Sequence, residues 1–339
     1  MTDALAVVVV THDSVASLPA LATSLVGQLG LDDELVIVDN ASSDATVALA
    51  RGVEERVRVI EAGANAGFAA ACRLGVEATV APLVCLINPD TVLAGGALAR
   101  LRAVASERPD WAAWQPAVML PDGRINVAGG VVHYLGMGWA GQCGRDASEL
   151  RALPYEAAFA SGAAMVVRRE IWQELDGLQD DYFLYGEDLD LGLRLWLAGH
   201  RVGVEPRASV IHDYEFDKGA RKWYLLERNR WRTVLATYPL ALLVVLAPAL
   251  VAGDLGILVV AARGGWLRPK LRAQLATAFG LPRALARRRV VQRTRRISAA
   301  HFAEHLTGSF DNPNLTVPRA VAAISRLYWR LARLALRIV

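Results

Sequence analysis

The segment E-L-V-I-V-D-N-A-S-S-D-A-T, residues 34–46, changes character in its middle, where a run of branched aliphatic residues ends in Asp39, Asn40 and small polar residues. A short continuous apolar run closed by turn formers is the pattern of a strand buried on both faces. A helix capped by Ser43 or Asp44 is expected next. The same unit recurs on either side. Ala4–Val10 precedes an amphipathic stretch near Ser14–Gly27, Val57–Ile60 precedes a helix over Gly67–Ala78, and Leu83–Ile87 precedes one over Gly95–Glu107. Four β-α repeats predict an α/β fold with a Rossmann-like, mostly parallel sheet flanked by helices.

Ligands of such sheets bind beyond the carboxyl ends of the strands. Those ends are polar here: V-D-N-A-S-S-D-A-T at 38–46, G-A-N-A-G-F-A-A-A at 63–71 and I-N-P-D-T at 87–91. No G-x-G-x-x-G follows the first strand and no G-x-x-x-x-G-K-[ST] occurs, so the dinucleotide and P-loop fingerprints are missing. After residue 110 the pattern shifts to W-A-A-W-Q-P-A-V, a P-D-G turn and a Gly-rich stretch from Gly129 to Gly144. This predicts a hairpin or flexible loop. F-A-S-G-A-A-M-V-V-R-R-E (159–170) reads as a buried strand leading into a helix, and a last strand near Ala208–Ile211 ends in His212.

Between them lies D-D-Y-F-L-Y-G-E-D-L-D, residues 180–190. Carboxylates among aromatic and aliphatic residues are costly to desolvate unless a cation or a proton-transfer task is involved. The plainer reading is a solvated helix start, with Glu187, Asp188 and Asp190 at the positive end of the helix dipole.

The 339 residues are 54% hydrophobic and carry a net charge of +3. That figure hides an asymmetry. Residues 263–339 hold 16 Lys and Arg against Glu304 and Asp311, a balance of +14, which leaves −11 for residues 1–262. Opposed halves suggest separate jobs. The N-terminus has an acid where a signal peptide needs positive charge, which predicts a first strand in a cytoplasmic protein. Cys72, Cys85 and Cys143 have neither disulfide nor metal-ligand spacing.

The polar strand ends, the acidic cluster and His212, taken in order over about residues 5–235, resemble the family 2 glycosyltransferases of GT-A fold, in their rhamnosyltransferase-like branch. The resemblance implies a donor site at Thr11, Asp39, Asn40, Asn65, Gly67, Asn88 and Asp90, with Asp39 reaching the nucleotide base and Gly67 allowing close backbone approach to the ligand. I-N-P-D-T stands where the family has D-x-D, but with Asn88 first, so Asp90 is the motif's one charged metal ligand. His212 is the implied second ligand for Mn2+ or Mg2+, imidazole suiting Mn2+ better. Asp188 matches the family's base, and Glu187 would help position the acceptor or the metal shell. Asp190 is expected to face helix or solvent. Ser161, Gly162, Asp181 and Arg228 fall on the acceptor or phosphate side. For Arg228 a helix face near acidic lipid is an equal alternative.

The implied activity is inverting, metal-dependent transfer of a sugar, best matched by L-rhamnose from dTDP-rhamnose, to a hydroxyl of a lipid-linked glycan or cell-envelope polysaccharide. A polyprenyl-phosphate sugar synthase and a catalytically degenerate membrane scaffold are the alternatives. Residues 1–233 are expected to be the catalytic domain and 234–339 an apolar, Arg-rich helical region. Residues 234–262 are long enough to span a bilayer. Flanking basic residues on both sides and Asp254 within argue instead for a peripheral or re-entrant element. The Arg-rich tail then lies on anionic lipid at the cytoplasmic face of a bacterial inner membrane. Nucleic acid is disfavoured, because Arg326, Arg330, Arg333 and Arg337 alternate with Leu, Tyr and Trp at the spacing of an interfacial helix.

Overall fold

The computed structural model describes residues 4–213, 219–312 and 317–338, and the chain forms two compact units. The first comprises residues 1–130, 140–192 and 200–214; the second comprises 131–139, 193–199 and 215–339. One continuous helix, Gly219–Thr237, runs across the expected boundary at residue 233.

The first unit opens with the expected repeats. They are β1 (Leu5–Thr11), α1 (Leu18–Val26), β2 (Glu34–Asp39), α2 (Thr46–Arg51), β3 (Arg58–Glu61), α3 (Phe68–Glu77) and β4 (Leu83–Ile87). All seven residues of β1 and all five of β4 are buried. Each fully buried Val, Leu or Ile side chain contributes roughly 1.5–3 kcal/mol, so these strands hold the core. β3, β2, β1 and β4 lie side by side and parallel. Parallel register aligns the carboxyl ends: Thr11 is opposite Asp39, and Asp39 is opposite Glu61.

Beyond β4 the sheet becomes mixed. The elements are β5 (Thr91–Leu93), α4 (Ala97–Glu107), β6 (Trp111–Met119), β7 (Ile125–Val127), β8 (Gly130–His133), β9 (Gly138–Ala140), β10 (Tyr155–Glu156), β11 (Ala164–Arg168), α5 (Arg169–Glu174), α6 (Glu187–Leu197) and β12 (Arg201–His212). β11 inserts antiparallel between β4 and β6, and β6 runs parallel to β12.

Residues 111–119 therefore form a nine-residue interior strand rather than a flexible loop. Pro116 obscures this, because proline cannot donate to a ladder. The structure accommodates it with an irregularity: Glu205 pairs with Pro116, and the next register partner is Ser209 with Ala117. The P-D-G turn does make the expected hairpin, joining β6 to β7. Residues 159–163 are not strand, since β11 begins only at Ala164.

The second unit carries α7 (Gly219–Thr237), α8 (Leu240–Arg263), α9 (Leu267–Phe279), α10 (Leu281–Arg293), α11 (Ala299–Ala303), β13 (Leu306–Thr307) and α12 (Arg319–Leu336). β13 pairs with β8 in a small three-stranded sheet with β9.

β6 and β12 approach closely at one point. A Cβ built on Gly203 would fall 2.1 Å from the fully buried Trp111 ring. Gly203→Ala should cost about 1–3 kcal/mol by overpacking, read as a lower urea midpoint at unchanged slope.

Candidate active site

Three strand ends and one helix start build the site within the first unit. At the end of β2 the Asp39 carboxylate is buried, 3% exposed. It accepts from Thr11 Oγ1 at 3.2 Å, from Ser42 N at 2.9 Å and from Ser42 Oγ. Two carboxylate oxygens offer about four acceptor positions, and these donors, among the described residues, use three of them. Asn40 and Asn65 clamp the neighbouring loops. Asn40 Nδ2 donates to Asn65 Oδ1 at 3.0 Å, and Asn40 Oδ1 accepts from Ala66 N at 3.0 Å.

Gly67 has a positive φ of 92°. Its added Cβ would lie 2.4 Å from Phe183 O, and Phe68 N donates to that same oxygen at 2.7 Å. The close approach seen at Gly67 is to the chain's own backbone. Phe183 and Tyr185 themselves adopt φ of 65° and 69°, as Asp13 and Ala41 do at 50° and 62°. Bulky residues in this region are strained, and such strain gathers at functional sites. No sequence signal announces it.

At the end of β4, Asn88 N donates to Ala163 O at 2.9 Å, and the chain turns into the short strand β5. β5 pairs antiparallel with the end of β12, with Thr91 opposite His212. That pairing, invisible in the sequence, brings together two residues 122 positions apart. His212 Nε2 lies 3.2 Å from Asp90 Oδ1. His212 is 5% exposed, and Asn126 Nδ2 donates to its backbone oxygen at 3.3 Å. Among the described residues no group of three or more His, Cys, Asp or Glu is placed to hold an ion. Asp90 and His212 offer two donors, one oxygen and one nitrogen.

The acidic cluster starts α6 as expected, but its three carboxylates differ. Asp188 Oδ2 accepts from Gly162 N at 3.0 Å and Oδ1 from Leu189 N at 2.7 Å. Burial raises its pKa, these backbone donors oppose the rise, and its partial exposure limits it further. Glu187 is 5% exposed, and its Oε2 has no hydrogen-bond partner among the described residues. Burial first, and then the Asp188 charge, push its pKa up to about 8. Both acids are pushed upward by burial, and backbone donors favour the charged form of Asp188.

Asp190, expected to face helix or solvent, is fully buried and accepts from Tyr182 OH at 2.9 Å. Helical geometry alone could not foresee that the preceding loop folds back over this position.

Ser161 and Gly162 lie in the loop before β11. Ser161 N donates to Oε1 of the fully buried Gln115 at 2.8 Å. Gln115, unnoticed in the sequence because it sits among Trp and Pro, fixes the loop that orients Asp188. Asp181 is exposed. Arg228 belongs to the second unit, where its Nε donates to Asn229 Oδ1 at 3.0 Å and its guanidinium lies 5.4 Å from the Tyr224 ring centre.

Between its ordinary value of 4.5 and about 8, native Glu187 holds a proton that the unfolded chain has lost, so stability falls as pH rises through this window. Thermal unfolding from pH 5 to about 8 should show a shallower decline for Glu187→Gln than for the unmodified protein. Equal slopes would mean that native Glu187 is ionised.

The chain is similar to known proteins in sequence and in fold. The family model described as glycosyl transferase family 2 matches residues 6–175. An N-acetylglucosaminyl-diphospho-decaprenol L-rhamnosyltransferase of Mycobacterium tuberculosis is 30% identical over 239 residues, covering 62% of this chain and 76% of that protein. The rhamnosyltransferase WbbL of Escherichia coli is 35% identical over 78 residues, 22% of this chain and 30% of that one. Among solved structures, GalNAc-T7 with UDP, GalNAc and Mn2+ aligns with a TM-score of 0.58 at 16% identity, over 70% of this chain and 48% of that one. S. aureus TarS 1–349 aligns with a TM-score of 0.52 at 13% identity, over 98% and 90%. At these identities the solved structures speak for the fold alone. The chain belongs to the family 2 glycosyltransferases, in their rhamnosyltransferase-like branch, and is a glycosyltransferase of GT-A fold.

Proposed function

We propose that this enzyme is an inverting, divalent-metal-dependent transferase that moves L-rhamnose from dTDP-rhamnose to a hydroxyl of a lipid-linked glycan. It would act in cell-envelope polysaccharide synthesis at the cytoplasmic face of the inner membrane. The observation that carries the reading is the Asp90–His212 pair, 3.2 Å apart at the joint ends of β5 and β12. The choice of rhamnose and of a lipid-linked acceptor rests on likeness to the mycobacterial enzyme.

The residues fit a divalent cation such as Mn2+ or Mg2+. One carboxylate and one imidazole supply two ligands, and the donor's diphosphate oxygens and water complete the shell. Bound there, the cation neutralises charge on the departing diphosphate. Asp39, with one acceptor position left, takes the imide N–H of the base. Thr11, Asn40, Asn65 and Gly67 hold the loops that present it. Asn88 stands beside Asp90 at the sugar-diphosphate end. Asp188, held ionised and aimed by Gly162 and Leu189, removes the proton from the acceptor hydroxyl. The oxygen then attacks the anomeric carbon opposite the nucleotide, the bond to diphosphate breaks with its electron pair, and the centre inverts. Protonated Glu187 can donate a hydrogen bond to the acceptor without competing as a base. Ser161 and Asp181 border the acceptor, and Arg228 serves a substrate phosphate.

Nucleotide-sugars offered with and without Mn2+ test the reading: rhamnose released only from dTDP-rhamnose, and only with metal, is the expected result. No hydrolysis of any donor would leave a scaffold, and transfer to a bare polyprenyl phosphate would make the enzyme a synthase. Asp188→Asn should lower transfer by about 10²–10⁴-fold while donor binding survives. His212→Ala should shift the midpoint of Mn2+ activation upward; an unchanged midpoint would make the histidine structural.

A further inference from the structure

Among the described residues α8 alone is long and apolar enough to cross a membrane, and only 11% of its apolar window is buried in the protein. Its outward face carries Leu240, Val244, Val251, Leu255 and Val259, each 50–66% exposed. The i, i+4, i+7 spacing makes this one uninterrupted apolar stripe.

The flanks of α8 decide how that stripe is used. On one flank Asp254 meets Arg230 of α7 and Lys270 of α9, both at 2.6 Å. Lys270, completely buried, also reaches Glu227 at 2.6 Å. Burial works against ionisation of Asp254, but Lys270 and Arg230 outweigh it and hold its pKa below the ordinary value. These four side chains are one charge-balanced cluster. On the other flank Tyr328 OH of α12 donates to Val245 O at 2.6 Å. At 1.5 Å per residue Asp254 stands about 21 Å along the helix. A spanning α8 would therefore carry four ionised groups and their partner helices into hydrocarbon, where charges are expensive.

α12 continues the surface beside α8. Ile324, Leu327, Leu331 and Leu334 are 55–67% exposed. The stripe of Arg326, Arg330, Arg333 and Arg337 lies next to them on the helix, clear of the buried Ser325, Trp329, Ala332 and Leu336. Leu240 also joins Leu285, Arg288, Arg289, Gln292 and Arg295 in lining a groove of about 460 Å³ with no acidic side chain. Arg288 is anchored there by Leu235 and Tyr238 backbone oxygens at 2.8 and 2.6 Å. Apolar stripes bordered by guanidinium groups match the boundary between acyl chains and lipid phosphates.

We propose that α8 and α12 lie flat in the surface of an anionic phospholipid bilayer, that α8 does not cross it, and that the Arg288–Arg289–Arg295 groove seats a lipid phosphate. This rests on the membrane-associated reading above and specifies its geometry.

The test uses the full chain with Cys143→Ser, since Cys72 and Cys85 are fully buried. Val244→Cys, Val251→Cys, Val259→Cys and Leu327→Cys each receive a fluorophore, and lipids brominated at defined acyl depths report its position. In vesicles of phosphatidylcholine with about one-third phosphatidylglycerol, all four labels should lie at one shallow depth. Vesicles of phosphatidylcholine alone should bind at least ~10-fold more weakly. Arg289→Glu with Arg295→Glu should remove most of that preference. A graded series in which the α8 labels differ by roughly 20 Å would establish a span and overturn the proposal. So would failure to bind either vesicle with the apolar face covered by a second copy in solution. The depth measurement needs no substrate, so it stands or fails apart from the donor and acceptor named above.

Discussion

The site depends on how β4 is paired. Its five residues are buried on both faces, and it is parallel to β1 on one edge and antiparallel to β11 on the other. This is where the sheet changes from a uniform parallel block to a mixed one. The parallel side sends the ends of β1 and β2 toward the same rim, so Thr11 and Asp39 become neighbours. The antiparallel side brings the start of β11 to the end of β4, so Asn88 bonds Ala163 and the Ser161–Gly162 loop arrives beside it. A fixed backbone junction thus brings polar groups from distant parts of the chain to one rim.

Electrostatics divides labour among groups of similar chemistry. Glu187, Asp188 and Asp190 fall within the first four positions of α6, where the helix dipole favours negative charge. That general advantage does not distinguish them; local donors do. Asp188 is given two backbone N–H groups, Asp190 a phenol, and Glu187 Oε2 none among the described residues. Hydrogen-bond donors favour the charged form of a carboxylate and burial disfavours it, so neighbouring acids of one helix turn meet different environments.

The second unit applies the same rule to opposite ends. Lys270 would be prohibitively costly to bury alone, yet it is fully enclosed because Glu227 and Asp254 both meet it. The cluster joins α7, α8 and α9 and leaves the remaining surface of α8 uniformly apolar. Hydrophobic length by itself describes this helix as a span, whereas the paired charge along its flank would be costly to carry into hydrocarbon.

Much of this was legible in the chain before folding. Unbroken aliphatic runs specified β1, β2 and β4, because a parallel strand covered on both faces has no room for polar alternation. Polar residues at the ends of those runs marked the rim, and the resemblance to family 2 glycosyltransferases singled out Asp39, Asp90, Asp188 and His212. Tertiary structure alone decided the rest. Pro116 concealed an interior strand, which only pairing with β12 revealed. The meeting of Asp90 with His212 depends on an antiparallel β5–β12 ladder across 122 positions, and the need for glycine at 67 depends on the backbone of Phe183. The roles of Glu187 and Asp190 depend on which donors reach them. Strand identity is a local consequence of hydrophobic periodicity and is therefore written in neighbouring residues. Protonation, strain and metal-ligand geometry are set by groups that only folding brings within about 3 Å of one another.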